Sequence, residues 1–411
     1  MTEKAFSMVP RGHLLEMLRA ALSRVAGDAA VRRWLEDHPL PGEWAAVALG
    51  KAAGPMLAGA REVIGPRVVD ALVVTAPGYA EEVPAGVTLL KGAHPVPDEH
   101  SLAAGEALLA FLQRQPASRH LLFLISGGAS SMVEVLREGV NGDDLACVNQ
   151  WLLGSGLAID GMNAVRKSLS RIKGGGLLTR VGDRPVTALL ISDVPGDDPA
   201  VIGSGLLVPD RNVGAVVSRL ELPPWLRELV GNPPARPDHG PEPVLVATNR
   251  DARLAAAAAA RVLGYRVFVH DELLGGDAAA AGRDLARFLL GASPGIHIWG
   301  GETTVRLPAH PGRGGRNQHL ALAAAGVMAG RADVLLLSAG TDGRDGPGED
   351  AGGLVDGDTA ARGHLAGFDL ADALAAAASG GFLEASGDLV HTGATGTNVM
   401  DLVIGWKGPP A

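Results

Sequence analysis

The segment His120-Leu121-Leu122-Phe123-Leu124-Ile125-Ser126-Gly127-Gly128-Ala129-Ser130-Ser131 decides the fold. Five consecutive apolar residues follow His120 with no polar residue between them. A run this short, bounded by a glycine turn, reads as a strand buried on both faces. Such strands belong to parallel sheets covered by helices on either side. The run stops at a Ser-Gly-Gly turn, and small residues then lead into a helix.

Working outward, the same pattern recurs. Ala45–Leu49 is an apolar run ending at Gly50-Lys51. Val68–Val74 ends at Pro77-Gly78, and Val186–Ile191 ends at Ser192-Asp193. Further on, Ile296–Trp299 runs into Gly300-Gly301, and Val334–Leu337 into Ser338-Ala339-Gly340. Thr303–Leu307 alternates like another strand, and Val399–Trp406 reads as a terminal strand. Helical spacing covers residues 13–36, 52–63, 101–113 (with Ser101 as N-cap), 144–157, 160–170, 251–263 and 317–328. Val244–Ala247, the helix from Asp251 and Tyr265–His270 read as one βαβ unit. Strands alternating with helices in this way predict an α/β protein with largely parallel sheets.

A chain of 411 residues exceeds one ordinary core. Residues 223–243 hold seven prolines and no sustained period, which marks a linker. The expected domains are 1–235 and 236–411. Apolar residues make up 47% and charged residues 20%, as in a globular protein. A net charge of −9 and only 4% aromatic residues argue against a nucleic-acid binder or an anionic-membrane binder. The lone Cys147 rules out an internal disulfide and a cysteine-based zinc cluster. The N-terminus lacks a signal-type apolar core, and no apolar stretch is of membrane-spanning length, so a cytoplasmic enzyme is expected.

Ligands of open α/β sheets bind beyond the carboxyl ends of the strands. The turns found there are therefore the candidate site. Ser126, Gly127, Gly128, Ser130 and Ser131 offer backbone amides and hydroxyls to a phosphate or carboxylate, or else form a tight capped turn. Lys51 opposes the dipole of the helix it opens, which makes sense if an anion lies between them, or else it is an exposed lysine that snorkels to solvent. Asp193, Asp197 and Asp198 crowd one strand end and can hold Mg²⁺ or cap the turn. Asp342 and Asp345 have the same two readings. Arg313 and Arg316 precede a helix and suit a planar anion, or a solvated turn. Residues 392–398, among them Thr395 and Asn398, form a loop of small donors. His94 and His391 stand beside these turns and read first as structural. No P-loop, no H-E-x-x-H and no G-x-G-x-x-G after a strand is present.

Taken in order, these turns resemble the class II glycerate 2-kinase family, whose C-terminal part is the MOFRL domain. The matching pieces are Gly50-Lys51-Ala52-Ala53, His94-Pro95-Val96-Pro97, Ser126–Ser131, Arg171-Ile172-Lys173-Gly174-Gly175, Ser192–Asp197, Gly301-Glu302-Thr303-Thr304, Gly314–Gln318, Thr341–Pro347 and Thr395–Asp401. The pattern departs from the usual one at Gly348-Glu349 and at His319. The resemblance implies two Rossmann-like domains with the active site in the cleft between them. It also implies ATP- and Mg²⁺-dependent phosphorylation of D-glycerate to 2-phosphoglycerate, by a monomer or homodimer. Lys51 and Arg316 then fall on the catalytic positions. Asp193 and Asp342 are the expected metal ligands, with Asp193 alternatively the base. Ser126, Gly127, Gly128, Ser130, Ser131, Glu302, Asn317, Thr395 and Asn398 are the expected substrate and nucleotide contacts. Two rivals are a nicotinamide-dependent hydroxypyruvate reductase, disfavoured by the missing dinucleotide fingerprint, and a non-enzymatic acid-sensing protein.

Overall fold

A computed structural model describes residues 3–231 and 233–409. It contains two six-stranded sheets. The first is all parallel and runs in the order β3-β2-β1-β4-β5-β6. Its strands are β1 (Trp44–Leu49), β2 (Val68–Thr75), β3 (Thr88–Lys91), β4 (His120–Ile125), β5 (Val186–Ile191) and β6 (Val244–Ala247). Every residue of β1 is buried, as are the five apolar residues of β4. That is what an unbroken apolar run in a doubly covered sheet should give. The strand order reverses between β1 and β4, which makes their carboxyl ends a topological switch point.

The second sheet corrects the expectation of largely parallel strands. Its order is β11-β10-β9-β12-β8-β7, from β7 (Val267–Val269), β8 (Gly295–Gly301), β9 (Val334–Gly340), β10 (Gly352–Asp356), β11 (Leu389–Val390) and β12 (Asp401–Lys407). Only β7 and β8 pair in parallel, through the helix Ala278–Gly291. β12 runs antiparallel to both β8 and β9, and β10 antiparallel to β9 and β11. The physical reason lies in the connections. The chain returns from β9 to β10 by a loop with no crossover helix, and such a return can only give an antiparallel neighbour.

Several local expectations are also revised. The helical stretch 13–36 is two helices, Glu3–Val25 and Gly27–Asp37, broken where Ala26 turns extended (φ −55°, ψ 137°). Ser101 is not the N-cap of its helix. Asp98 caps Glu99–Arg114, and Ser101 closes the capping box from the third position. Thr303–Leu307 forms no strand; Thr304 makes one isolated bridge to Asp277. The proline-rich stretch encloses a short helix, Pro224–Val230. The expected βαβ unit of residues 244–270 is divided, because β6 ends the first sheet and β7 edges the second.

The chain separates into two compact units. One is Ala26–Val246, and the other joins the residues up to Val25 to those from Ala247 onward. This differs from a single cut after residue 235. The N-terminal helix belongs to the second unit because its polar side chains are anchored there. Arg11 donates to Asp388 Oδ1 at 2.7 Å and to the Leu354 carbonyl at 2.8 Å, and His13 meets the Tyr265 hydroxyl at 2.7 Å. A linear reading of periodicity cannot see such a return of the N-terminus.

Candidate active site

In the first unit the switch point is laced together by backbone. β1 and β4 pair in register, Leu49 opposite Ile125, so their turns begin level with each other. The Lys51 amide donates to the Gly127 carbonyl at 2.9 Å, and the Ser126 amide to the Leu49 carbonyl at 2.9 Å. The Ser126 hydroxyl accepts from the Ala52 amide at 3.0 Å and donates to the Leu49 carbonyl at 3.2 Å. Gly50 is required here. Its φ is +111°, and a Cβ would lie 2.4 Å from the Ser126 carbonyl oxygen. Ser126 is fully buried, so its hydroxyl holds the two turns together rather than facing solvent.

Beyond this lacing opens a cleft of about 460 Å³, wholly within the first unit. Gly128, Ser130 and Ser131 line it from the β4 turn, and Asp193 from the β5 turn. The helix after the β4 turn is only Ala129–Met132, a single turn, so the dipole argument made for this loop is weaker than the sequence suggested. What the loop does offer is amides: those of Gly127 and Gly128 donate to no acceptor among the described residues. Ser130 Oγ lies 2.6 Å from Ser204 Oγ, and Ser131 Oγ is 2.9 Å from His94 Nδ1. His94 therefore orients a serine of the cleft wall. Lys51 is half-buried at the switch point, with its ammonium 5.9 Å from the Tyr79 ring centroid.

The cleft also contains residues that had no role assigned from sequence. Lys173 lines it and pairs with Glu134 at 2.5 Å, both within 2% of complete burial. Arg166, Asn149 and Asn163 line the opposite wall from the helices Gly142–Gly154 and Ile159–Leu169. Arg166 sits beside Lys167 in a helix, and only packing shows that it faces a cavity. Lys173 stands in the family-matching piece Arg171-Ile172-Lys173-Gly174-Gly175, which carried no expected role for it.

In the second unit the residues gather around Arg316. Its Nε and Nη2 donate to Asp401 at 2.6 and 2.9 Å, and its Nη1 lies 2.9 Å from Glu302. Although burial opposes the charge, the fork onto Asp401 and the nearby acids hold the guanidinium well above its ordinary pKa. Asp345 accepts the amides of Asn317 and Gln318 at 3.0 and 2.8 Å and so caps the helix Arg316–Met328 from another loop. Burial pushes the Asp345 carboxyl up to about 6. Burial likewise raises Asp401, with Asp342 adding like-charge repulsion. Asn317 is buried and spent on Ser338 and Asp345. Thr395 Oγ1 donates to the Thr341 carbonyl, whereas Asn398 is half-buried with no side-chain hydrogen bond among the described residues. Asp342 Oδ1 accepts the Arg344 amide at 3.1 Å.

The first unit thus brings together Lys51, the Ser126–Ser131 loop and Asp193, and the second brings together Arg316, Glu302, Asn317 and Asp342. Comparison with known proteins gives this arrangement a relative. The D-glycerate 2-kinase of Thermotoga maritima is 35% identical over 95% of this chain and 97% of its own length. The chain belongs to the glycerate 2-kinase family. Its family models are a domain of unknown function (DUF4147) over residues 13–222 and the MOFRL family over residues 295–401. A glycerate 2-kinase of Pyrococcus horikoshii is 32% identical over 90% of this chain and 88% of its own length. A protein of Agrobacterium vitis carrying the provisional name hydroxypyruvate reductase is 38% identical over 95% of this chain and 92% of its own. The crystal structure of the Thermotoga maritima glycerate kinase superposes with a TM-score of 0.87 at 34% identity, covering 97% of this chain and all of that one. The glycerate 2-kinase fold therefore extends through both units of this chain.

Proposed function

We propose that this chain transfers the γ-phosphoryl group of ATP to the 2-hydroxyl of D-glycerate, giving 2-phosphoglycerate and ADP. The observation that carries this reading is the similarity to the Thermotoga maritima D-glycerate 2-kinase, which extends over 97% of that protein's length. The cleft at the carboxyl ends of β4 and β5, beside the switch point, supports it. Phosphoryl transfer asks little covalent chemistry of a protein; it asks for positioning and for charge where charge spreads. The amides of Gly127 and Gly128 suit phosphate oxygens, with Lys51 to balance the transferred group. In the second unit, Arg316 can reach a phosphate oxygen by exchanging one arm. Its pair with Glu302 is half-exposed and costs little to exchange, while the bidentate arm on Asp401 keeps the fork in place.

The donor set also fits a Mg²⁺ ion that arrives with the nucleotide. Among the described residues no cluster of three His, Cys, Asp or Glu forms a metal cage. Asp193 lines the cleft, and four residues on, Asp197 Oδ1 is buried without a hydrogen-bond partner. One or two carboxylates plus phosphates are what Mg²⁺ prefers, and the ion would supply countercharge to the phosphate oxygens. Asp193 would hold it in the first unit; Asp342 is the alternative holder, in the second unit.

The reductase reading draws on the Agrobacterium vitis relative. It requires a dinucleotide, yet the turn after β1 reads Gly50-Lys51-Ala52-Ala53-Gly54 and lacks the glycine spacing that admits a pyrophosphate. An ADP-release assay with and without D-glycerate separates the readings. Release that depends on D-glycerate is expected. Oxidation of NADH with hydroxypyruvate, and no ADP, would overturn the kinase reading.

A further inference from the structure

Within the cleft of the first unit, one cation has no anion of its own. The Arg166 side chain makes one hydrogen bond among the described residues, a long 3.4 Å contact from Nε to Asn149 Oδ1, and no carboxylate pairs with it. Its charge is held only against desolvation, which lowers the guanidinium pKa with no acid acting to raise it. Asn149 is 5% exposed, and its Nδ2 is buried with no acceptor. Burying an amide donor without a partner is costly unless something else satisfies it, and the half-buried guanidinium beside it is partly desolvated with no counter-ion. The other cation of the cleft, Lys173, is already neutralised by Glu134. Asp193 supplies the one carboxylate of the lining.

We infer that Arg166 and Asn149 form the carboxylate subsite for the hydroxy-acid substrate, with Asn163 beside them on the same wall. The charge pattern selects the ligand. One uncompensated guanidinium and one amide donor match a monoanionic carboxylate, which takes two parallel N–H donors in a plane. They do not match a polyphosphate, whose several charges would meet a single free cation. The carboxylate end of a small hydroxy acid would then lie against the two helices. Its hydroxyls would point toward Ser130 and Asp193, which come from the strand-end turns. The subsite would thus select acids over neutral polyols. The assignment of this acid as D-glycerate rests on the kinase reading.

The test uses the full chain and two variants. Arg166→Gln removes the charge. Asn149→Asp is isosteric and supplies Arg166 with a built-in counter-ion, so it removes the free cation without opening a cavity. Binding of D-glycerate is measured by calorimetry in the absence of ATP, and KM values for D-glycerate and ATP by ADP release. Each variant should weaken D-glycerate about 10- to 100-fold, as loss of a charge-assisted contact does, and leave the KM for ATP within about twofold. Glyceramide, the neutral carboxamide, should bind the unaltered chain as weakly as D-glycerate binds the variants. If the unaltered chain turns over D-glycerate and both variants keep its KM, the subsite is wrong while the kinase reading stands. If the variants raise the KM for ATP instead, the cation serves phosphate and the inference fails. If D-glycerate binds through Arg166 but no ADP forms, the subsite stands and the kinase reading falls.

Discussion

Breaking the pair between Lys173 and Glu134 should be among the most damaging single changes in the first unit. Lys173 is 2% exposed and Glu134 1%, with 2.5 Å between Nζ and Oε2. Glu134 Oε1 also accepts the Val135 amide at 3.0 Å, so the carboxylate is anchored and cannot swing to water. Lys173→Met leaves that carboxylate buried and uncompensated. Removing one partner of such a pair costs about 3–5 kcal/mol, a large share of the roughly 5–15 kcal/mol that holds a domain together. Lys173→Met with Glu134→Gln removes both charges, and the glutamine can still accept from Val135. The double variant should recover most of the loss, giving a coupling of about 3 kcal/mol in a double-mutant cycle. Trp34, Trp44, Trp151 and Trp225 lie in the first unit, so urea unfolding followed by fluorescence with Trp299 and Trp406 replaced by Phe reports on that unit. A cost below about 1 kcal/mol for Lys173→Met, or a double variant as unstable as the sum of the singles, would refute the reasoning.

Three further outcomes are expected. Gly50→Ala places a Cβ 2.4 Å from the Ser126 carbonyl at φ +111°, and should cost about 2–5 kcal/mol and lower the melting temperature together with turnover; an unchanged melt would contradict the lacing of the two turns. Lys51→Ala should lower kcat about 100- to 1000-fold in the ADP-release assay, as loss of a charge-stabilising group does, with little change in unfolding; near-normal turnover would remove Lys51 from the chemistry. Asp345 is raised to about 6 by burial, so its protonated form is the one the fold favours. Its stabilisation is complete below about pH 4 and lost as pH rises through 6, amounting to about 3 kcal/mol for a two-unit shift. Asp345→Asn lacks this titration, so the gap between the variant and the original chain should change in the variant's favour from pH 4.5 to 7.5. Parallel stability curves would contradict the shift.

Most of the first sheet was legible in the sequence because β1, β4 and β5 are short, unbroken apolar runs that end at small-residue turns; the edge strand β3, largely exposed, was not read. The second sheet was misread because β8, β9 and β12 are equally apolar, and apolarity does not record strand direction. Direction depends on whether a crossover helix intervenes, and the loop from Thr341 to Ala351 has none. The strand-end turns were found by position, but some of their polar side chains serve the fold. Ser126 and Asn317 looked like ligand contacts, and both are committed to holding turns in place. Arg166 was invisible for the opposite reason, since a cation within a helical pattern gives no sign of which face packs. The departure of the N-terminal helix from the first unit depends on Arg11 finding Asp388, a contact across 377 positions that periodicity does not encode.

The central claim is that the chain phosphorylates the 2-hydroxyl of D-glycerate. Proton-coupled phosphorus NMR of the product formed from ATP and D-glycerate tests it most directly. A phosphorus on the 2-oxygen sits next to a single methine proton and should appear as a doublet. A triplet from the methylene at the 3-position, or no new phosphoester at all, would contradict the account.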